Sequence, residues 1–116
     1  MAISVLLLRK KRLFYYYKGL FSEYFCIFLL LLRGYRIIGR RIKTKFGEID
    51  ILAIKNGITN VFEVKYRSSG IDDAKFALLN SRKRIKKAYI SLKRKDPVEF
   101  RYFVQSGFKF QFGLIE

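Results

Sequence analysis

Residues 45–67 read Lys-Phe-Gly-Glu-Ile-Asp-Ile-Leu-Ala-Ile-Lys-Asn-Gly-Ile-Thr-Asn-Val-Phe-Glu-Val-Lys-Tyr-Arg, two β-rich runs joined at Asn56-Gly57. An Asn-Gly pair between such runs marks a two-residue hairpin, because both turn positions need a positive φ. With Asn56 and Gly57 as the loop, Lys55 pairs with Ile58, and every opposed pair keeps the same sum of residue numbers. Asp50 then faces Glu63 and Glu48 faces Lys65, with Cβ atoms roughly 4.5–5.5 Å apart. Two carboxylates at about 5 Å repel by roughly 3 kcal/mol at an effective dielectric near 20, so the pattern calls for a cation between them. The plainer alternative is a charge ladder, in which Lys65 balances both acids on an exposed face. A three-residue loop would shift the register by one and undo the opposition unless a bulge restored it.

The 116 residues suffice for one domain with a modest core. Lysine and arginine number 25 against nine acids, for a net charge of +16, while 51% hydrophobic content argues against disorder. A polyanionic partner follows from that charge, with anionic lipid as the other polyanion. The chain has no histidine and one cysteine, Cys26. Histidine-dependent triads, histidine-metal nucleases and zinc deaminases are thereby excluded, as is a disulfide framework. Any acid, base or metal chemistry falls to carboxylates, lysine, tyrosine or water.

Residues 1–17 carry the short apolar run Ala2–Leu8, then Arg9-Lys10-Lys11-Arg12, then Leu13–Tyr17. The order is the reverse of a secretory signal, and the run is too short to span a bilayer. It is expected to be an arm outside a single domain at 18–116 of a cytoplasmic protein, contacting nucleic acid, with a membrane-surface anchor as the less favoured alternative. Leu20 to Arg33 predicts a helix, capped by Ser22 or starting nearer Lys18 and ended by Gly34. Glu23 stands in its first turn, where the helix dipole alone would account for an acid.

A basic strand over Tyr35–Lys43 precedes the hairpin, expected from about Gly47 to Tyr66. Asp72 or Asp73 caps a short helical stretch, Ala74–Leu79, and Asn80 or Ser81 caps a longer one to about Lys93. The longer helix buries Ile85, Ala88, Tyr89 and Leu92 and presents Arg82, Lys83, Lys86 and Lys87 on its other face. A solvated charged face is the ordinary explanation, but the density of one sign favours phosphate contact. Pro97 precedes two strands, Val98–Gln105 and Phe108–Leu114, turning at Ser106-Gly107, with Phe108, Phe110, Phe112 and Leu114 as a core stripe.

Hard oxygen ligands such as facing carboxylates suit magnesium, which takes one or two of them with waters and substrate phosphates. Lys65, two residues beyond Glu63 on the same face, could then orient a water or neutralise developing charge.

Gly47-Glu48-Ile49-Asp50, the thirteen-position step to Glu63 and the triplet Glu63-Val64-Lys65 resemble the PD-(D/E)XK nuclease superfamily. Glu23, eleven positions before Gly34-Tyr35-Arg36-Ile37-Ile38, together with Lys83-Arg84-Ile85 and Ala88-Tyr89, is similar to the narrower YraN family, related to archaeal Holliday junction resolvases. The resemblance covers about Lys18 to the C-terminus. It implies an α/β restriction-endonuclease-like fold, a mixed central sheet flanked by helices. It also implies Glu23, Asp50 and Glu63 as site acids on magnesium or manganese, and Lys65 as catalytic lysine.

The expected activity is metal-dependent DNA endonuclease cleavage, of branched or structured DNA by analogy, in a symmetric homodimer. Arg40, Arg41, Arg67, Arg82, Lys83, Lys86 and Lys87 are the expected phosphate contacts. Tyr102 stands where relatives carry aspartate in an Arg-Phe-Asp-Val strand, so that strand adds no acid to the set. The competing expectation is a non-catalytic nucleic-acid-binding module that retains the nuclease fold.

Overall fold

The computed structural model describes residues 2–116, with side chains from residue 4 onward. In chain order the elements are α1 (Ala2–Leu32), β1 (Arg36–Thr44), β2 (Gly47–Lys55), β3 (Ile58–Tyr66), α2 (Ile71–Leu78), α3 (Arg82–Ser91), β4 (Val98–Ser106) and β5 (Lys109–Leu114). The hairpin turn forms as its residues require, with φ of 53° at Asn56 and 76° at Gly57. From there the ladder keeps the expected register, Lys55 on Ile58 through to Ile51 on Phe62.

The sheet runs β1-β2-β3-β4-β5, antiparallel throughout except for the parallel β3–β4 pair. A parallel pair needs a long crossover, and α2 and α3 supply it. Strand alternation then sends side chains to two covered faces. Phe62 and Phe103 pack with Ile51 and Ala53 beneath Cys26 and Leu30 of α1. On the opposite face, Val61, Leu52 and Ile49 pack against Ile85, Ala88 and Tyr89 of α3, and Val104 meets Ala74 and Leu78 of α2. Each buried Val, Leu, Ile or Phe among them contributes roughly 1.5–3 kcal/mol. The architecture is the restriction-endonuclease-like one that the motifs implied.

Several local expectations change. α1 starts at Ala2, not near residue 20, and rises about 46 Å over its 31 residues. Nothing between residues 2 and 18 breaks a helix, and Gly19 alone weakens one without stopping it. Residues 4–17 are exposed along its first half, and no helix among the described residues is long and apolar enough to cross a membrane. Ser22 is therefore an interior residue, not a cap; its Oγ donates to Gln105 Oε1 at 2.6 Å, both buried. Glu23 also lies far from the helix start, so the dipole does not account for it.

Gly34 does end α1, with φ of 87° and the Tyr35 N–H donating to Leu30 O at 3.0 Å, a Schellman-type closure. α2 begins three residues early, after Gly70, so Asp72 and Asp73 fall in its first turn; Ser81 precedes α3 without a side-chain cap bond.

The last turn differs too. Ser106 pairs with Lys109, which places Gly107 and Phe108 at the tip and leaves Phe108 fully exposed. Phe110 and Phe112 still pack on Phe103, whereas Leu114 is exposed. Tyr102 lies across Gly113, where a Cβ would come within 2.3 Å of its ring, and its hydroxyl accepts from Gln111 Nε2 at 3.1 Å. It is a packing residue.

Candidate active site

The candidate site lies where β2 and β3 part. Beyond Ile51–Phe62 the ladder between them ends, and the Val64 N–H donates instead to Asp50 Oδ2 at 2.8 Å. Alternation breaks at the same point. Ile49 packs with the α3 cluster and Ile51 with the α1 cluster, although residues two apart on a regular strand share a face. Asp50 thus occupies an irregular position whose carboxylate takes over a ladder contact.

Glu63, only 2% exposed, is held by two cations on one oxygen: Lys65 Nζ lies 3.2 Å and Arg84 Nη2 3.1 Å from Oε1. Arg84 comes from α3 and also donates through Nη1 to Glu48 O at 3.0 Å. Its guanidinium lies over Gly47, whose φ is 112°; a Cβ there would stand 2.7 Å from Nη1. Glycine at the start of β2 therefore gives Arg84 its route to Glu63.

Glu23 reaches the region from α1 and is 6% exposed. Arg41 clamps it with both its Nε and Nη2, the latter donating to Oε2 at 2.7 Å. Arg41 has a φ of 51°, rare for a non-glycine residue. The kink lets two adjacent residues of β1 both reach α1: Arg41 to Glu23, and Arg40 over the Tyr24 ring at 4.7 Å.

Electrostatically the acids act on one another. Burial, followed by the charge on Glu63 and then that on Glu23, pushes the Asp50 carboxyl up to about 7, against the opposing pull of the Val64 N–H and of Lys65. Cys26 is buried, which raises its thiol well above the ordinary range and leaves it without nucleophilic character at neutral pH.

Of the expected site residues, the structure gathers Asp50, Glu63 and Lys65, and brings Glu23 near enough for its charge to act on Asp50. Among the described residues no group of three or more His, Cys, Asp and Glu side chains is placed to hold a metal ion. Asp50 and Glu63 do fit magnesium as a two-carboxylate donor set completed by water and phosphate oxygens.

The expected phosphate contacts fall into two groups. Arg41 is half-buried and engaged by Glu23, whereas Arg40, which stacks on Tyr24, and Arg67, Arg82, Lys83, Lys86 and Lys87 are exposed. Arg67 also donates to the Tyr66 carbonyl. Sequence reasoning gave Arg84 no site role. Its one signal is position: within the basic run of α3 it directly precedes buried Ile85, on the side turned to the sheet.

Residues 22–99 match the model of "Uncharacterised protein family UPF0102". The chain is similar to UPF0102 proteins of Brucella canis (38% identity over 71 residues, 61% of this chain and 56% of the relative) and Agrobacterium fabrum (39% over 71 residues, 61% and 58%). It is also similar to one from Rhodopseudomonas palustris (45% over 60 residues, 52% and 45%). The chain spans about half the length of these curated relatives. The family match takes in Glu23, Arg41, Asp50, Glu63, Lys65 and Arg84 and leaves out the exposed first half of α1.

Proposed function

This chain belongs to the UPF0102 family, the YraN family of its motifs, and from its site geometry we propose that it hydrolyses phosphodiester bonds in DNA with magnesium or manganese. The observation that carries this reading is the departure of Asp50 from the ladder to stand beside buried Glu63, whose charge disfavours ionisation of Asp50. A purely structural ladder would pair each acid with a cation across the strands. Here Asp50 is instead bonded to a backbone N–H beside like charges, an arrangement that favours a bound cation.

Asp50 and Glu63 would supply the direct oxygens. A divalent ion held there would supply the chemistry of lowering the pKa of a bound water and of stabilising charge on the phosphate. Lys65, a quarter exposed and 3.2 Å from Glu63, places its ammonium where it can orient the attacking water or meet the phosphate oxygen. Arg84, reaching across from α3, fixes the Glu63 carboxylate at the same oxygen that Lys65 meets. Glu23, held in place by Arg41, would add negative charge beside a bound ion and could accept hydrogen bonds from its water. The exposed cations of α3 fit sequence-independent contact with phosphates.

A second reading, a non-catalytic DNA-binding module, draws on the pairing of Glu23 with Arg41 and of Glu63 with Arg84 and Lys65, which already neutralises two of the acids. Cleavage of labelled junction, flap and duplex DNA in magnesium, manganese or EDTA separates the two. The nuclease reading expects metal-dependent products, reduced roughly 10²–10³-fold in Lys65→Ala while binding changes far less. Metal-independent binding with no product on any substrate would overturn it.

A further inference from the structure

We propose that the cleft of about 510 Å³ between α1 and the end of β3 is a subsite for one unpaired nucleotide next to the scissile phosphate. This deepens the nuclease reading and rests on it. Lys65 is among its lining residues, so a phosphate at the Lys65 ammonium would have its adjoining sugar and base beside the cleft. Two tyrosines, Tyr15 from α1 and Tyr66 from β3, line it, together with Arg67 and the hydroxyl residues Ser68 and Ser69; none of its lining residues is acidic. Lys18 Nζ stands 5.3 Å from the Tyr66 ring centroid, which adds positive charge beside the ring.

Aromatic rings with cations and hydroxyls are the chemistry that takes a base by stacking and its phosphate by charge. The volume falls within the range of small-ligand sites, roughly 300–1,000 Å³. A paired base is withheld from such a cleft by its partner and its stack, so the occupant is an unpaired nucleotide. That selects substrates with single-stranded or unstacked positions over continuous duplex.

Gly19 makes the subsite testable. Glycine weakens the middle of a helix, and a Cβ at Gly19 would meet nothing within 4 Å, so the α1 wall of the cleft is open there. Gly19→Phe would fill the cleft from a position where a side chain favours the helix. Binding of a single-stranded oligonucleotide carrying 2-aminopurine is measured with the full chain in EDTA, beside the same sequence as duplex. The wild type is expected to quench the single-stranded probe by stacking and to leave the duplex probe unchanged. Gly19→Phe and Tyr15→Ala are each expected to weaken binding about tenfold or more and to restore the fluorescence, with Gly19→Phe melting no lower than wild type.

Wild-type binding and fluorescence in Gly19→Phe, or equal quenching of the duplex probe, would overturn the subsite. The two readings fail separately. Quenched binding without cleavage in magnesium rejects the nuclease and keeps the nucleotide site. Cleavage of single-stranded and branched DNA unchanged in Gly19→Phe rejects the subsite and keeps the nuclease.

Discussion

Asp50→Asn is expected to remove metal-dependent cleavage, by roughly 10²–10³-fold or more, and at pH 8 without metal to leave the protein at least as stable as wild type. The two halves share one cause. The Asp50 carboxyl is raised from its ordinary 3.8 to about 7 by burial and by the charges of Glu63 and Glu23. Between about pH 4 and 7 the native chain therefore holds that proton more tightly than the unfolded chain, and stability falls as pH rises through the window. The loss is on the order of a few kcal/mol at most. Asparagine keeps an oxygen for the Val64 N–H and carries no charge, so the variant escapes the loss. Urea unfolding at pH 5 and pH 8 checks this: the wild type loses stability between them and Asp50→Asn loses less. A variant less stable than wild type at pH 8 would show the carboxylate to be well compensated and would remove the reason for a cation there.

Arg84→Ala is expected to destabilise the protein by about 2 kcal/mol and to depress cleavage, unlike substitution of its neighbours. Breaking a buried ion pair costs roughly 3–5 kcal/mol, and the figure is lowered here because the Arg84 side chain is 35% exposed and partly screened. Glu63 would be left with Lys65 alone, and Glu48 O would lose its donor. Lys83→Ala and Lys87→Ala, on the exposed face of the same helix, should stay within about 0.5 kcal/mol of wild type. Adding Glu63→Gln to Arg84→Ala should recover part of the loss, because the carboxylate then no longer needs a cation. Equal effects from all three single substitutions would reduce Arg84 to one more member of a basic surface.

The hairpin was legible because its turn is: Asn56-Gly57 needs two positive φ values, and the register from Lys55–Ile58 to Ile51–Phe62 follows. The same arithmetic failed at Asp50. A side chain bonding to Val64 N ends the ladder there, and periodicity carries no sign of a carboxylate replacing a carbonyl. Arg41 was legible only as a cation, since nothing in its neighbours announces a left-handed backbone that turns it onto Glu23. Arg84 was hidden by likeness, one basic residue in a run of them, distinguished only by the path that Gly47 leaves open. The start of α1 was missed because Val5–Tyr17 comes in blocks, apolar, basic, then aromatic, with no 3.6-residue period to mark a helix.

These residues place the candidate site at one irregular point in an otherwise regular sheet. The two face clusters hold β2 and β3 together up to Ile51 and Phe62, and beyond it the strands part around acids that the rest of a strongly basic chain does not neutralise fully. The metal-site reading therefore depends on the charge state of one carboxyl group. The most direct measurement is a carboxyl-carbon NMR titration of Asp50 from pH 4 to 9, without divalent ions and then in 10 mM magnesium. The account predicts a midpoint near 7 in the absence of metal and, in magnesium, a carboxylate that stays ionised well below neutral pH. A midpoint near 4 without metal, or one that magnesium leaves unmoved, would contradict it.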